Sequence, residues 1–199
     1  VSNVLAGKTD PVTISATLIG VTALIFVARG DVWGQILTIV FSILYAITSY
    51  SFRYYGEMIT YLGMSAPIAL AALISWIRHP FKGNKAEVEV KKLTPKTVAL
   101  TFAFAGVVTV IFYFILSALG TAEIILSTVS VTTSVLAATL TYLRSPYYAL
   151  GYAANDLVLI GLWVLAGNLA MIICFIVFFV NDMYGFFSWQ RMQKRQQES

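Results

Sequence analysis

Seven long apolar runs follow one another along the chain, separated by short polar segments. They lie at 12–28, 33–52, 56–77, 97–119, 122–143, 147–166 and 168–188. Each has about the 20 apolar residues that a helix needs to cross the hydrocarbon core of a bilayer. Strands of a membrane β-barrel would instead alternate apolar and polar residues in segments of about ten. The pattern therefore predicts an all-α integral membrane protein with seven transmembrane helices.

Composition supports a membrane location for the whole chain. Of its 199 residues, 59% are hydrophobic and 11% are charged, whereas soluble domains carry about 25% charged residues. So few charges cannot cover a water-facing surface. The net charge of +4 does not indicate nucleic acid as a partner, because the basic residues lie in the segments between apolar runs. The expected surroundings are membrane lipids.

The thirteen basic residues divide unevenly between the two sides of the predicted bundle. With seven spans, the N-terminal side holds Lys8 and Arg53 and the opposite side holds the other eleven. These eleven are Arg29, Arg78, Lys82, Lys85, Lys91, Lys92, Lys96, Arg144, Arg191, Lys194 and Arg195. Cytoplasmic loops carry the excess of Lys and Arg. The chain is therefore expected to be a multi-pass protein of the plasma or inner membrane, with its N-terminus outside and its C-terminus in the cytoplasm.

A short motif closes both the third and the seventh span. It reads SWIR at 75–78 and SWQR at 188–191. One interpretation is an ordinary helix end, with an interfacial Trp followed by a cytoplasmic Arg. The other is an internal repeat, in which one linking helix restores a parallel orientation to two three-helix units. The predicted organisation is a three-helix bundle at 12–77, a cytoplasmic basic loop at 78–96, a linking helix at 97–119, a second three-helix bundle at 122–189 and a cytoplasmic tail at 190–199.

Two carboxylates lie inside apolar runs, each directly after an asparagine. They are Asp156 in the sixth span and Asp182 in the seventh. A charge at the bilayer centre costs about 2.5–3.5 kcal/mol on insertion scales, so such residues face a bundle interior or an aqueous cavity. Seven helical steps return to within about 20° of the starting face. Asp156 therefore shares a face with Trp163, and Asp182 shares a face with Trp189.

Aromatic and amide side chains accompany the two acids. Tyr148 and Tyr152 precede Asp156 on the same stripe, and Asn181 and Tyr184 flank Asp182. Aromatic rings stack on flat heteroaromatic ligands, whereas amides and acids bind hydroxyl groups. The alternative is that Asn and Asp only bond facing helices together. The first interpretation predicts a substrate site, for which the candidates are Gln35, Tyr148, Tyr152, Asn155, Asp156, Trp163, Asn181, Asp182 and Tyr184.

The third span carries two unusual residues. Glu57 lies near its outer boundary, where an interfacial carboxylate is expected rather than a buried one. Pro67 lies near its middle, where it removes a backbone hydrogen bond and predicts a kink. Such a kink would act either as a hinge or as a packing bend.

No catalytic or metal-binding motif can be assembled from the sequence. The single histidine, His79, is expected to cap the end of the third span, and the single cysteine, Cys174, lies in an apolar run. No Walker A or G-x-G-x-x-G loop occurs, so ATP hydrolysis by this chain is not expected. We therefore expect no enzymatic activity, no metal and no cofactor.

The segments YAANDLVLIGLWVLAG and CFIVFFVNDMYGFFSW resemble the PnuC family of vitamin and nucleoside transporters in order, spacing and residue type. The resemblance implies seven helices in a 3+1+3 parallel-repeat arrangement, similar to sugar transporters of the SWEET type. It implies facilitated diffusion, by alternating access, of a vitamin precursor such as nicotinamide riboside for NAD biosynthesis. A cytoplasmic kinase would then trap the imported substrate. The implied pocket residues are Asn155, Trp163, Asn181 and Tyr184, with Asp156 and Asp182 as direct or indirect ligands.

The sequence departs from the family at one point. Members that carry nicotinamide riboside often have two Trp residues spaced W-x-x-W, but here Leu73 precedes Trp76 and Ile160 precedes Trp163. Thiamine and riboflavin, which relatives in the family carry, therefore stay open as alternative substrates. So does a substrate-binding subunit of a multi-component vitamin importer, for which six spans are expected. A homo-oligomer is also left open.

Overall fold

The computed structural model describes residues 11–51, 54–121 and 123–198, and this part of the chain is almost wholly helical. Its helices are α1 Pro11–Ala28, α2 Trp33–Ser51, α3 Tyr55–Arg78, α4 Pro95–Ala118, α5 Ile124–Tyr142, α6 Tyr148–Leu165 and α7 Leu169–Glu198. Six of them, α2 to α7, are long and apolar enough to cross a membrane, and α1 contributes the shorter apolar stretch Ile14–Ala28. The predicted all-helical membrane class is confirmed. Lys8 and Arg53, which were counted in predicting the orientation, lie outside the described residues.

Local sequence explains where several helices begin. Asp31 precedes α2, and its Oδ1 accepts a hydrogen bond from the Trp33 N–H at 3.0 Å. Asn168 does the same for α7, accepting from the Met171 N–H at 3.2 Å. Both side chains satisfy one of the N–H groups that a helix start leaves without a partner. Gly30 makes the tight turn between α1 and α2 with a φ of 73°, which glycine adopts at no steric cost.

Six helices form a closed ring, and α4 lies outside it. Around the ring, α1 packs on α2, α2 on α3, α3 on α5, α5 on α6, α6 on α7, and α7 on α1. Helix α4 packs mainly on α5. Its outer surface carries exposed apolar side chains suited to lipid, namely Leu100, Phe102, Phe104, Val107, Val110, Ile111 and Phe114. We call α1–α3 the first half of the bundle and α5–α7 the second half.

The Ser-Trp motif of α3 fastens the first half to the second. The Trp76 indole Nε1 donates a hydrogen bond to the Thr141 carbonyl at 3.0 Å. The Ser75 hydroxyl donates to the Tyr142 carbonyl at 3.1 Å. Both acceptors lie in the last turn of α5, where helix carbonyls lack intrahelical donors.

The Ser-Trp motif of α7 makes the equivalent contacts from the second half to the first. The Trp189 indole Nε1 donates to the Val27 carbonyl and the Ser188 hydroxyl to the Ala28 carbonyl, both at 2.8 Å. These acceptors end α1, just as the acceptors of the α3 motif end α5. The Trp189 ring also lies 5.5 Å from the ring of Trp76. The motif is thus more than an ordinary interfacial helix end, because each copy binds the first helix of the other half.

A β-hairpin within the predicted basic loop covers this end of the ring. Its strands are β1 Pro80–Phe81 and β2 Asn84–Val88, which pair antiparallel. The Val88 N–H donates to the Gly30 carbonyl at 3.0 Å, and the Lys91 N–H donates to the Arg144 carbonyl at 3.0 Å. Gly30 follows α1 and Arg144 follows α5 by the same two residues, so the segment bridges matching positions of the two halves. We call this end of the bundle the hairpin side.

Helix α7 continues ten residues beyond the predicted span, through most of the segment expected to be a tail. The Gln196 side chain explains the extension, because its Nε2 donates to Glu87 Oε1 at 2.8 Å and its Oε1 accepts from the Val90 N–H at 2.8 Å. The His79 Nδ1–H donates a hydrogen bond to the Ser75 carbonyl at 2.8 Å, as expected for a residue that caps α3. Hydropathy alone shows neither the hairpin nor the helix that packs on it.

Candidate substrate site

A small cavity lies inside the ring, between the two halves. Its volume is about 60 Å³, which is the space of about two water molecules in the liquid. All six ring helices line it. The main lining residues are Gly20, Thr38, Phe41, Ser42, Tyr61, Ser65, Ser134, Tyr152, Asn155, Asp156, Phe175, Phe178 and Asp182. Transporters built from repeats hold their substrate at such an interface.

Asp156 of α6 and Asp182 of α7 meet at this cavity. Their carboxyl groups lie within hydrogen-bonding reach of each other, and the two residues are 3% and 2% exposed. No donor of the described residues reaches Asp156 Oδ2. The ion pairs within the described residues instead involve Glu87 of β2 and Glu89, which directly follows β2. The structure therefore brings together two acids 26 positions apart in sequence and provides them with no basic partner among those residues.

Asn155 has both roles that were predicted for it: it bonds two helices together and it lies at the candidate substrate site. Its Oδ1 accepts hydrogen bonds from Ser130 Oγ at 3.2 Å and from Thr133 Oγ1 at 2.9 Å, which joins α6 to α5. The residue also lines the cavity. Since its oxygen is occupied by the interhelical contact, recognition of a ligand falls to its NH₂ group.

Aromatic rings fill the space around the cavity. The Phe41 ring lies 5.4 Å from Phe178 and 6.0 Å from Tyr61, in edge-to-face contacts. Tyr61 in turn lies 4.2 Å from the ring of Tyr45. Such contacts are favourable for aromatic pairs. A flat ligand larger than the cavity must therefore separate these rings, and they would then stack on its faces.

Trp163 lies one layer from the cavity, on the side away from the hairpin. It is fully buried, its indole Nε1 donates to the Tyr45 hydroxyl at 3.0 Å, and its ring lies 5.2 Å from Tyr54. Seven residues separate it from Asp156, which is about 10 Å along the helix. Trp163 thus closes the cavity from this side rather than lining it.

Tyr148 lies in the corresponding layer on the hairpin side. Its ring is 5.0 Å from Trp189, which packs on Trp76, and Val88 of the hairpin belongs to the same buried cluster. Eight residues separate Tyr148 from Asp156, about 12 Å along α6. Aromatic layers therefore lie on both sides of the cavity along α6.

Comparison with known proteins identifies the family. Residues 10–191 match the family described as nicotinamide mononucleotide transporter. The chain belongs to this family. The resemblance of the two Asn-Asp segments to the PnuC family is thereby confirmed. The protein is a membrane transporter rather than an enzyme.

Two curated relatives and one solved structure support the family membership. The chain is 30% identical over 190 residues to the nicotinamide riboside transporter PnuC of Neisseria mucosa, covering 90% of this chain and 72% of the relative. It is 24% identical over 177 residues to the nicotinamide riboside transporter PnuC of Haemophilus influenzae, covering 88% and 77%. A crystal structure of the vitamin B3 transporter PnuC shares 27% identity with a TM-score of 0.82, over 93% of this chain and 83% of that one.

Besides Trp163 and Tyr148, which lie one layer away, three predicted site residues of this family member do not line the cavity. Tyr184 is 62% exposed on the outer surface of α7. It lies two residues from Asp182 and therefore about 200° around the helix, on the opposite face. Asn181 is half-buried beside that face. Gln35 is buried near the start of α2, toward the hairpin side, and does not line the cavity.

Most residues that line the cavity escape prediction from the sequence, and they include the aromatic residues Phe41, Phe178 and Tyr61. A Phe or Tyr in an apolar span gives no signal that separates a cavity wall from a lipid-facing or core position. One feature of the sequence indirectly marked the position of Tyr61, namely Pro67, which predicts an irregularity in this part of the helix. The structure has a π-helical turn at Tyr61–Ser65 at this point, and both ends of the turn line the cavity. Such turns often occur at functional sites.

The expectation for Glu57 was wrong. The residue is 1% exposed and lies beside Ser130 of α5, so it is a buried carboxyl rather than an interfacial one. The fold has this effect because α5 packs on the first turns of α3 and brings Ser130 beside Glu57. Glu57 does not line the central cavity.

Proposed function

We propose that this protein imports nicotinamide riboside by facilitated diffusion, with alternating access of the central cavity to the two sides of the membrane. The nicotinamide ring is flat and, in the riboside, carries a positive charge. The rings of Phe41, Phe178 and Tyr61 suit its faces. The carboxyl groups of Asp156 and Asp182 suit its charge and the ribose hydroxyls.

The charge of the side chains that line the cavity distinguishes between the candidate substrates. The residues that line it include two carboxyls and no Lys, Arg or His. A mononucleotide adds a phosphate, which proteins bind with basic side chains or helix N-termini and which two carboxyls repel. The site therefore suits the unphosphorylated riboside better than the mononucleotide. Among the alternatives, it suits cationic thiamine better than neutral riboflavin.

The contacts between helices support a 3+1+3 arrangement of parallel repeats. Exchanging the two halves turns the α3–α5 contact into the α7–α1 contact, and every other ring contact into its counterpart. The two Ser-Trp motifs exchange in the same way. Helix α4 has no counterpart and lies outside the ring, as a linking helix should. A substrate-binding subunit of a multi-component importer lacks support, since the family that residues 10–191 match is described as a transporter.

The distribution of charge supports a cytoplasmic hairpin side. Arg78 ends α3, Arg29 and Arg144 follow the ends of α1 and α5, and the hairpin and the end of α7 carry further Lys and Arg. Cytoplasmic loops hold this excess of positive charge. Facilitated diffusion by itself only equalises concentrations, so accumulation inside the cell requires a cytoplasmic kinase that phosphorylates the riboside.

Side-by-side binding measurements test the proposed substrate. We expect the purified protein in detergent to bind nicotinamide riboside and to bind nicotinamide mononucleotide at least about tenfold more weakly, a difference of about 1.4 kcal/mol. Thiamine and riboflavin serve as the comparison ligands from the same family. Binding of thiamine without binding of the riboside would show that the proposed substrate is wrong.

Gly20 offers a test of the cavity itself. A methyl group at Gly20 would overlap the ring of Phe178 and lie 2.9 Å from that of Phe41. We expect Gly20→Ala to weaken riboside binding about tenfold, because overpacking costs about 1–3 kcal/mol and restricts the rings that must separate. Gly161→Ala is the matched control, since a methyl group there meets nothing within 4 Å. Equal riboside affinity in both variants would place the binding site elsewhere.

A further inference from the structure

We propose that a second pocket, on the hairpin side where α7 passes the end of α1, binds the head group of an anionic phospholipid. Its volume is about 480 Å³, within the range of about 300–1,000 Å³ that ligand sites in proteins span. The residues that decide its chemistry are Arg29, Glu87, Tyr184, Phe187, Arg191 and Arg195. The pocket shares no lining residue with the central cavity. The inference therefore goes beyond the proposed function and does not depend on the identity of the substrate.

The pocket has a positive charge. Three of its lining residues are arginines and one is a carboxylate, Glu87, so their formal charges add to +2. Glu87 is already engaged, because it pairs with Arg195 and accepts a hydrogen bond from the Gln196 amide at 2.8 Å. Arg29 and Arg191 are exposed and form no ion pair with another described residue. Two guanidinium groups thus face the pocket without a carboxylate partner among those residues, and guanidinium groups bind phosphate oxygens through paired N–H donors.

One stripe of α7 leads from the lipid-facing surface to these arginines. Its members recur at intervals of three or four residues and are all exposed, namely Val177, Val180, Tyr184, Phe187, Arg191 and Arg195. Along the stripe, apolar residues come first, aromatic residues follow and basic residues come last. A membrane leaflet has the same order, with acyl chains, an interfacial region that favours tyrosine, and charged head groups that Arg side chains reach.

Charge and shape together favour an anionic lipid over other occupants. A zwitterionic lipid carries an amine beside its phosphate, and the pocket offers this amine only the carboxylate of Glu87, which Arg195 already pairs with. A free phosphate would leave Tyr184 and Phe187 uncovered, whereas an acyl chain lies against both. Clusters of basic residues next to the ends of membrane helices are typical sites for anionic lipid head groups.

A lipid in this pocket would join the two halves of the bundle. Arg29 follows α1 of the first half, and Arg191 belongs to α7 of the second half. The hydrogen bonds of Ser188 and Trp189 to the last carbonyls of α1 connect the same two helices. A phosphate bound to both arginines therefore stabilises a contact that the protein already makes, and lipid binding should raise the unfolding temperature.

Thermal unfolding in mixed lipid–detergent micelles tests the proposal. We expect phosphatidylglycerol to raise the unfolding temperature of the purified protein by at least about 3 °C, and phosphatidylcholine with the same acyl chains to raise it clearly less. Soluble glycerol phosphate, which has the head group without acyl chains, should have no effect at the same concentration. Equal effects of the two lipids would overturn the proposal, and would be expected if a second copy of the chain covered the pocket. A glycerol phosphate effect as large as that of phosphatidylglycerol would also overturn it, because the site would then bind a free phosphate.

Variants locate the lipid in the pocket. We expect Arg29→Gln and Arg191→Gln each to weaken phosphatidylglycerol binding about fivefold, measured from the dependence of the unfolding temperature on the lipid fraction. Both side chains are exposed, so neither substitution removes buried packing. Lys194→Gln is the matched control, because it removes the same charge from an exposed residue of α7 that does not line the pocket, and it should bind the lipid like the parent protein. An equal loss in Lys194→Gln would show that only net charge attracts the lipid and would overturn the assignment of the site.

Discussion

Trp189→Ala is expected to lower the stability of the protein by about 3–5 kcal/mol, the usual cost of truncating a fully buried Trp. The side chain is completely buried, and it packs on Trp76 and Tyr148 at ring distances of 5.5 and 5.0 Å. Its indole also fastens α7 to the end of α1 through the Val27 carbonyl. Loss of the ring removes both the packing and this connection, so the hairpin side should also open more readily.

Thermal unfolding in detergent measures the stability change, and Trp189→Phe is the control. Phenylalanine keeps most of the packing and removes the indole N–H, which should cost only about 1 kcal/mol. The Val27 carbonyl retains the Gly30 N–H as a donor at 2.9 Å. Because Trp76 and Trp189 touch, the effects of replacing both should not add. An unfolding temperature unchanged in Trp189→Ala would contradict a structural role for the motif.

Trp163→Ala is expected to have the second large effect, again a loss of about 3–5 kcal/mol in stability. Trp163 is fully buried between Tyr45 and Tyr54 and lies one layer away from the cavity. Its truncation therefore removes part of the closure on the side opposite the hairpin. Riboside binding should weaken less than stability, because the residue does not line the cavity.

Parallel measurements of unfolding and of riboside affinity separate these two effects. Tyr45→Phe is the matched control, since it removes only the hydroxyl that accepts the Trp163 indole N–H, at a cost of about 1 kcal/mol. If Trp163→Ala kept its full stability and lost riboside binding, Trp163 would contact the substrate directly. That outcome would favour the role that the family resemblance implies for this residue.

The spans and one wall of the site can be predicted from the sequence. The predicted run at 33–52 corresponds to α2 at Trp33–Ser51. In lipid, the backbone N–H and C=O groups of about 20 apolar residues must form hydrogen bonds within the segment itself, whichever helices lie beside it. Asp156 with Tyr152 could be placed on one face because helix geometry repeats every 3.6 residues. The cost of a carboxylate in lipid showed that this face points inward.

Tertiary structure alone decided the rest of the site. Phe41 and Phe178 line the cavity, whereas the exposed Phe187 lies on the outer surface of α7. In a soluble protein an apolar stripe marks the inner face of a helix, but lipid is as apolar as the interior, so both faces of a membrane helix can carry Phe and Tyr. For this reason the sequence could not show that Tyr184 lies on the outer surface of α7, and Glu57 was assigned to the wrong environment. Only the packing of α1–α3 against α5–α7 determines which of these side chains meet.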